Sequence, residues 1–306
     1  MKVVSYSRVV PTKNKSEEKE QILKKFLLGV EKSNDVALYH QGFDLVDCDV
    51  AVIQGWQHQL GKTAPHLKLR ENVINHQLKN KCYVCVADSN LFLFATNKNK
   101  PHHYLRYSFN GIFPSTGIYF DKHIKTSRWD QISKDLNITL ESEKRQGKNI
   151  LICLQRHGGW SMGTTDIVSW TNRVVSLIRQ HSDRPIVLRP HPKDNNAHQY
   201  LKKIKKDLHI KISQGRSLEL DLANAWCVVN HNSSSIVGAI IKGYPAFITD
   251  FKNSQCAEVS HSDFSKIETP DTFDRQRWLE RISQFHWKFS ELEDGSAWRH
   301  MRHYCQ

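Results

Sequence analysis

Two polar loops in the second half of the chain carry residue types that bind phosphate. The first is Arg189-Pro190-His191-Pro192-Lys193, and the second is Asn230-His231-Asn232-Ser233-Ser234-Ser235. The second loop leads into a predicted helix over 236–242, so its hydroxyl groups and free backbone N–H groups lie at a helix N-terminus, where an anion is favoured. Asn232 and Ser233 could instead only cap that helix. We predict phosphate contacts from Arg189, His191, Lys193, Asn232, Ser233 and Ser234.

A third loop over 155–163 contains Arg156, His157 and three glycines. Glycine lets the backbone approach a ligand closely. The spacing G-G-x-x-x-G is not a dinucleotide fingerprint, and a tight turn alone would explain one of the glycines. We predict that Arg156, Gly158 and Gly159 contribute to the same nucleotide site.

Each of the three loops follows a short apolar run that is typical of a parallel strand buried on both faces. These runs cover 149–154, 186–188 and 227–229, and another, 246–249, follows the predicted helix. Ligands of open α/β sheets bind beyond the carboxyl ends of the strands. The pattern therefore predicts an α/β domain with its site at one edge of the sheet.

The first half of the chain predicts a second α/β domain, with strands over 3–7, 50–54 and 82–87 and an amphipathic helix over 16–30. The segment 98–120, rich in turn and aromatic residues, predicts an ordered binding loop. A polar stretch over 137–148 predicts the domain boundary. We therefore expect an acceptor domain over 1–146 and a nucleotide domain over 147–306, whose last helix docks back on the body and whose Trp278, Trp287 and Trp298 serve in packing.

The chain is basic, with a net charge of +13. Between residues 51 and 126, ten Lys or Arg residues outnumber three acidic ones, which gives +7. A field of this sign attracts polyanions, although a solvated basic surface would give the same count. Aromatic and histidine side chains between the charges favour a nucleic-acid cleft, because ring faces can hold an unstacked base. The predicted DNA contacts are Trp56, His58, Lys62, Arg70, Arg106 and Tyr107, although the rings among them could equally belong to the core.

Composition argues against several classes of protein. Hydrophobic residues make up 39% and charged residues 25% of the 306 residues, as in soluble proteins of two domains. No stretch reaches the ~18 apolar residues that span a bilayer, and the amino end has no secretory pattern, so we predict a cytoplasmic protein. Seven cysteines without regular spacing argue against a disulfide scaffold. Cys82 and Cys85 have the spacing of a metal knuckle, but they lie in a predicted strand without a second pair.

The nucleotide half resembles the GT-B superfamily of glycosyltransferases. In bacterial sialyl- and Kdo-transferases of that fold, similar His-Pro and Ser-Ser elements hold the phosphate of a nucleotide sugar, and His191 with Pro192 and Ser233 with Ser234 match them here. The resemblance implies two Rossmann-like domains that face a central cleft, and a nucleotide-sugar donor, with a UDP-sugar as the first choice. No cofactor is required, because the basic loops can supply the charge; Asp250 could touch a ribose or Mg²⁺, or cap a helix.

The amino half resembles phage DNA-modifying glycosyltransferases, which attach sugars to 5-hydroxymethylcytosine. In the phage β-glucosyltransferases the base is an aspartate at the end of a strand similar to Tyr83-Val84-Cys85-Val86-Ala87-Asp88, which implies that Asp88 is the base; it could also be only a turn residue. The 155–163 segment also resembles proteins of T4-type phages, among which DNA arabinosyltransferases occur. The resemblance implies transfer of glucose or arabinose to 5-hydroxymethylcytosine in double-stranded DNA, by a monomer in the cytoplasm of an infected bacterium.

Two other functions fit the same residues. A GT-B enzyme of surface-glycan synthesis, with a Kdo-like or sialyl-like donor, would use the same donor loops on a saccharide acceptor. A non-catalytic nucleic-acid-binding module would use the basic stretch alone. The residues do not distinguish the sugar, the nucleotide or the stereochemical outcome.

Overall fold

Two β-sheets form the framework of the protein, one in each of two units. The computed structural model describes residues 1–10, 17–56, 64–95, 104–157, 162–163, 165–204, 209–215 and 217–305, with the backbone alone for 17–19. Unit 1 comprises Met1–Asn137 and Leu279–Gln306, and unit 2 comprises Ile138–Trp278.

The sheet of unit 1 has the strand order β11-β5-β4-β3-β1-β2 in the described part of the chain. Its strands are β1 (Lys2–Tyr6), β2 (Val36–His40), β3 (Val50–Gln54), β4 (Tyr83–Ser89), β5 (Tyr104–Phe109) and β11 (His286–Lys288). The first four are parallel to one another, whereas β5 runs antiparallel to both β4 and β11. Val50–Ile53 are all buried, as expected for a strand that is covered on both faces.

The helices of unit 1 come from both ends of its sequence. Those described are α1 (Glu17–Glu31), α2 (Pro65–Lys79) and α3 (Thr126–Leu136) before unit 2, and α9 (Phe289–Glu293) and α10 (Ser296–Met301) after it. Helix α1 packs on both α9 and α10. Trp298 of α10 is buried edge-on against Phe26, and its indole N–H donates to Asp35 at 2.7 Å. The carboxyl-terminal segment is thus part of the body of unit 1.

The sheet of unit 2 is parallel throughout its described strands, in the order β10-β9-β6-β7-β8. Its strands are β6 (Asn149–Cys153), β7 (Ile186–Arg189), β8 (Ile210–Ile212), β9 (Ala225–Asn230) and β10 (Ala246–Ile248). Its helices are α4 (Ile167–Arg179), α5 (Ala197–Leu201), α6 (Leu218–Leu222) and α7 (Ile236–Ile241), and α8 (Arg275–Ser283) begins in unit 2 and ends in unit 1.

Helix α4 shows how the sequence builds this layer. Asp166 caps it by accepting a hydrogen bond from the Ser169 N–H at 2.8 Å. Trp170, Val174 and Ile178 recur at helical spacing and are buried in the core cluster formed with the sheet. The apolar stripe of the sequence therefore fixes the face that α4 turns to the strands.

The units divide the chain at positions other than the predicted boundary near 147. Residues 138–148 belong to unit 2 because their backbone bonds to it: Glu141 N–H donates to Ile241 O at 2.9 Å, and Lys148 N–H donates to Asn224 O at 3.0 Å. Residues 279–306 belong to unit 1 because β11 pairs with β5. The predicted binding loop over 98–120 is also corrected, since β5 lies within it as a fully buried strand.

Candidate functional site

The strand order of unit 2 reverses between β6 and β9. From β6 the chain proceeds to β7 and β8 on one side, then returns to β9 and β10 on the other. At such a switch point the loops after the two central strands diverge and leave a crevice in which ligands of α/β sheets bind. The residues that follow β6 and β9 are therefore the first place to look for a site.

Two side-chain amides meet at this point. Gln155, after β6, donates from Nε2 to Oδ1 of Asn232, after β9, at 2.8 Å, and both residues are buried. Asn232 donates in turn from Nδ2 to Oδ2 of Asp250, after β10, at 2.8 Å. The network joins three strand ends and gives Asp250 a partner in the site, while its Oδ1 accepts from the Asn253 N–H at 3.3 Å, as a capping side chain does.

His231 lies beside this network. Its Nδ1 is 2.7 Å from Oγ1 of Thr249, which also accepts a hydrogen bond from the Trp170 indole at 2.8 Å. Its Nε2 is 3.8 Å from Oδ2 of Asp250. Burial lowers the pKa of His231, with Asp250 opposing the shift and Arg173 adding to it. The imidazole is therefore held neutral at neutral pH, in a position to donate or accept one proton.

The loop after β7 gathers basic side chains. Burial lowers the pKa of His191, Asp194 opposes that shift, and the nearby charges of Arg156 and Lys193 reinforce it. The backbone N–H of His157 donates to Oδ2 of Asp194 at 2.7 Å, which ties the loop after β6 to the loop after β7. The fold thus brings Arg156, His191 and Lys193 together, with Arg156 and Lys193 exposed to solvent.

Arg189 lies at the carboxyl end of β7, as predicted, and has a partner within unit 2. Its guanidinium forms an ion pair with Asp221, whose side chain is 5% exposed and which also accepts from Ser213 Oγ at 2.7 Å. The charge of Arg189 is therefore balanced within the domain by Asp221, and its contact with phosphate stays a prediction.

The serines of the second loop lie at the start of α7. Ser233 accepts from the Ser235 N–H at 3.2 Å, and its carbonyl accepts from Asn230 Nδ2 at 3.0 Å. Ser234 is exposed, and Ser235 at the N-cap makes no capping bond through its side chain. Gly158 and Gly159 of the third loop lie outside the described residues.

In unit 1, Asp88 lies at the carboxyl end of β4 and forms an ion pair with Arg106 at 2.6 Å. Its other oxygen accepts from the Ser89 N–H at 2.8 Å, and its side chain is 24% exposed. Arg70 is near enough for Asp88 to raise its pKa against the larger lowering effect of burial. Proton uptake by Asp88 would have to disturb the contact with Arg106.

The structure corrects two of the predicted DNA contacts. Tyr107 is fully buried and stacks on Phe26, and Arg106 is 7% exposed and paired with Asp88. Both lie on β5, an interior strand that pairs with β4 on one side and β11 on the other, and their burial keeps both side chains from a base or a phosphate. Trp56 is half-buried against the core of unit 1, and Arg70 donates from Nε to Val9 O at 3.0 Å. His58 and Lys62 lie outside the described residues.

Sequence reasoning missed Gln155, His231 and Asp221 as members of the site. Gln155 and Asp221 carry no motif, and only the three-dimensional pairing with Asn232 and Arg189 reveals them. His231 stood within the predicted loop, and its direct position after a buried strand was the one available signal.

A recess of about 750 Å³ in unit 2 lies at the opposite edge of the sheet, beside Gly147 and Ala225 where β6 and β9 begin. Its charges pair with one another, as in Lys144 with Glu141 and Lys242 with Glu219. We place the candidate site at the switch point because the polar network lies there. Among the described residues, no group of three or more His, Cys, Asp or Glu side chains is arranged to hold a metal ion, and no helix has the length and apolar character needed to cross a membrane.

Comparison with known proteins supports the fold class of the chain. No family model and no curated protein matches the chain. Among solved structures it is similar to the β-Kdo 2,4 transferase of Thermosulfurimonas dismutans KpsC, with a TM-score of 0.54, 12% identity and coverage of 94% of this chain and 92% of that chain. The β-Kdo 2,7 transferase of the same KpsC gives a TM-score of 0.52 and 11% identity, over 97% and 99% of the two chains. The predicted fold class, two Rossmann-like α/β domains of GT-B type, is confirmed.

Proposed function

We propose that this protein is a glycosyltransferase that moves a sugar from a nucleotide sugar to an acceptor hydroxyl. The observation that carries the proposal is the network of Gln155, Asn232 and Asp250 at the switch point of unit 2, flanked by basic side chains. In α/β sheets this is the position at which nucleotides bind. The GT-B fold supports the proposal, because the two KpsC structures of this fold bear the names of Kdo transferases.

The donor side of the reaction requires positive charge or hydrogen-bond donors for the departing phosphate. Arg156, His191 and Lys193 supply that charge in our proposal, and Ser233 and Ser234 supply hydroxyl donors. Gln155 and Asn232 would contact the nucleoside, because amides that are held by mutual hydrogen bonds present their remaining donors and acceptors in a fixed direction. This arrangement needs no metal ion to stabilise the leaving phosphate. If the donor binds with Mg²⁺, Asp250 is the carboxylate that would hold the ion; without it, Asp250 would bind a ribose hydroxyl.

The acceptor side requires a base. Asp88 remains our candidate, since it is a partly exposed carboxylate at a strand end. Its contact with Arg106 holds the carboxylate in one orientation.

For the acceptor, we favour a saccharide, as in the surface-glycan alternative. Two of the residues expected to bind DNA, Arg106 and Tyr107, are buried, which weakens the case for nucleic acid. Double-stranded DNA with 5-hydroxymethylcytosine is the second candidate, because the net charge of +13 favours an anionic acceptor. Its base would have to be flipped out of the duplex.

Thermal denaturation in the presence of UDP, CMP and GDP tests the donor site. We expect one nucleotide to raise the melting temperature, because a ligand that binds only the folded state stabilises it. Gln155→Ala should abolish this effect, whereas Gln199→Ala, an exposed glutamine of α5, should retain it. If none of the nucleotides stabilises the wild-type protein, the third candidate, a nucleic-acid-binding module, is favoured instead.

Mass spectrometry separates the acceptors. The protein is incubated with a panel of donors and either anionic oligosaccharides or hydroxymethylated duplex DNA, and the products are analysed as saccharides or nucleosides. A sugar on the oligosaccharide alone supports the first candidate, and a modified nucleoside supports the second. DNA binding should also weaken steeply with salt if the duplex is the acceptor.

A further inference from the structure

Unit 1 contains a recess of about 460 Å³ that is separate from the sites discussed above. It is formed by the start of α3, by β11 and by α10, and residues that line it include Lys125, Arg128, Trp287, Arg299, His300 and His303. A volume of this size is typical of a small-molecule site.

The lining of the recess is basic, and none of the described residues that form it carries a carboxylate. Lys125, Arg299 and His303 are exposed to solvent, so the charges of Lys125 and Arg299 can reach a ligand. Burial is the main cause that lowers the pKa of His300, and Lys125, Arg128 and His303 each lower it further, while its bond to the Phe120 carbonyl opposes the shift. The positive charges of Lys125 and Arg128 therefore both act on His300 in the recess, and a bound anion would offset them.

One of the cations is already balanced. Arg128 forms a buried ion pair with Glu291, with one contact of 2.8 Å, and its guanidinium lies 4.3 Å from the centre of the Trp287 ring. Lys125 and Arg299 make no ion pair with a carboxylate in the described residues, and Arg299 donates to Asp294 O and Ser296 Oγ on its own segment. The recess therefore keeps an excess of positive charge.

Two further features favour an oxyanion. Helix α3 starts at the recess with Lys125 as its N-cap, without a side-chain capping bond and without an acidic residue in its first turn. Its first N–H groups and its dipole therefore carry uncompensated positive charge. The indole N–H of Trp287, a residue that is 8% exposed, has no hydrogen-bond partner among the described residues.

We propose that this recess is a second ligand site, which binds the phosphate group of a small phosphate ester. Phosphate suits it because a compact dianion can meet Lys125, Arg299 and the start of α3 together, and because its oxygens accept several charged hydrogen bonds. The Trp287 ring supplies an apolar wall for the ester's organic part. An extended duplex would need cations along an open surface instead of a recess.

Calorimetric titration of the full chain with glucose 6-phosphate, inorganic phosphate and glucose tests the proposal. Glucose 6-phosphate should bind, inorganic phosphate should bind less tightly, and glucose should not bind. The double substitution Lys125→Ala with Arg299→Ala should weaken the binding of glucose 6-phosphate at least tenfold. The matched control is Lys134→Ala, which removes an exposed lysine from the other end of α3.

The nucleotide site of unit 2 is a competing place for phosphate, so a second variant distinguishes the two. Lys193→Ala should leave the affinity for glucose 6-phosphate unchanged. The indole ¹H–¹⁵N resonance of Trp287, assigned through Trp287→Phe, should shift during the titration. Loss of binding in Lys193→Ala alone, or an unaltered affinity in the unit 1 double variant, would overturn the proposal. Binding of duplex DNA that is lost in that double variant, with no binding of glucose 6-phosphate, would assign the recess to nucleic acid.

Discussion

The amide of Gln155 donates to the amide of Asn232 at 2.8 Å, across the point where the strand order of unit 2 reverses. Asn232 in turn donates to Asp250, so a substitution at position 232 affects the loops that follow three strands, β6, β9 and β10. Such a network is stabilising only while each member keeps its partner. Asn232 is therefore the residue through which the site is most directly tested.

Asn232→Asp should destabilise the protein by about 1–3 kcal/mol, the usual penalty when a buried polar group loses its partner. The new carboxylate retains the acceptor for Gln155 but replaces the amide that donates to Asp250, and two acceptors then face each other. Urea denaturation measures the change. Asn195→Asp, at an exposed position before α5, is the control and should leave the free energy of unfolding nearly unchanged. Equal stabilities of the two variants would contradict the network.

Arg189→Ala should reduce the free energy of unfolding by about 3–5 kcal/mol, because it leaves the buried carboxylate of Asp221 without its charge partner. Lys242→Ala, which removes an ion pair with the exposed Glu219, should cost about 1 kcal/mol or less. Denaturation of both variants by urea gives the comparison. If the two losses are alike, Arg189 is not held by Asp221 in solution, and its predicted contact with phosphate regains support.

His286 should make unit 1 sensitive to acid. Burial lowers its pKa from 6.5 to about 3, and both ring nitrogens are used: Nε2 accepts from the Leu91 N–H, and Nδ1 donates to Ile282 O. Below about pH 6.5 His286 takes up a proton in the unfolded chain but stays neutral in the folded protein. The free energy of unfolding therefore decreases with falling pH, by up to about 1.4 kcal/mol per pH unit.

The effect of His286 can be separated from that of other groups by substitution. His286→Gln should flatten the decline of stability between about pH 6 and pH 4, and the exposed His123→Gln should leave it as in the wild type. Urea denaturation at a series of pH values measures both. A decline that is the same in all three proteins would show that His286 is not the group responsible.

Asp88→Asn should lower kcat by about 10²–10⁴ if Asp88 is the base. Because the substitution also removes the partner of Arg106, a control with a similar structural effect is needed. Asp121→Asn removes the partner of Arg281 in an ion pair of 3.0 Å elsewhere in unit 1. We expect Asp121→Asn to retain activity; equal activities in the two variants would exclude Asp88 as the base.

Four of the described strands of unit 2, β6, β7, β9 and β10, were predicted because each is a short apolar run that ends in polar residues. The strand β8 was missed, because a lysine interrupts its three residues. The order of the strands was not predictable, since it depends on which edges pair in space. Gln155 was therefore overlooked although its partner Asn232 was identified, because only the pairing of β6 with β9 brings the two residues together.

The basic stretch of the first half illustrates a second limit. The charge of this stretch is evident from the sequence, but the burial of Tyr107 depends on Phe26 of α1, which stacks on it. The interior place of β5 in the sheet depends on β11, which pairs with it from far along the chain. A local pattern contains no information about a strand that arrives 180 residues later, since His286 pairs with Arg106. The Arg189 ion pair was missed for the same reason, because Asp221 lies beyond two further elements, α5 and β8, along the chain.

The chain leaves unit 1 after Asn137 and returns to it at Leu279, so the whole of unit 2 is an insertion in the sequence of unit 1. During synthesis, the strand that completes the unit 1 sheet therefore emerges from the ribosome only after unit 2 has been made. Until then β5 presents an open hydrogen-bonding edge, which is the kind of surface that invites intermolecular pairing. The order of the segments along the gene makes the amino-terminal unit the last to mature.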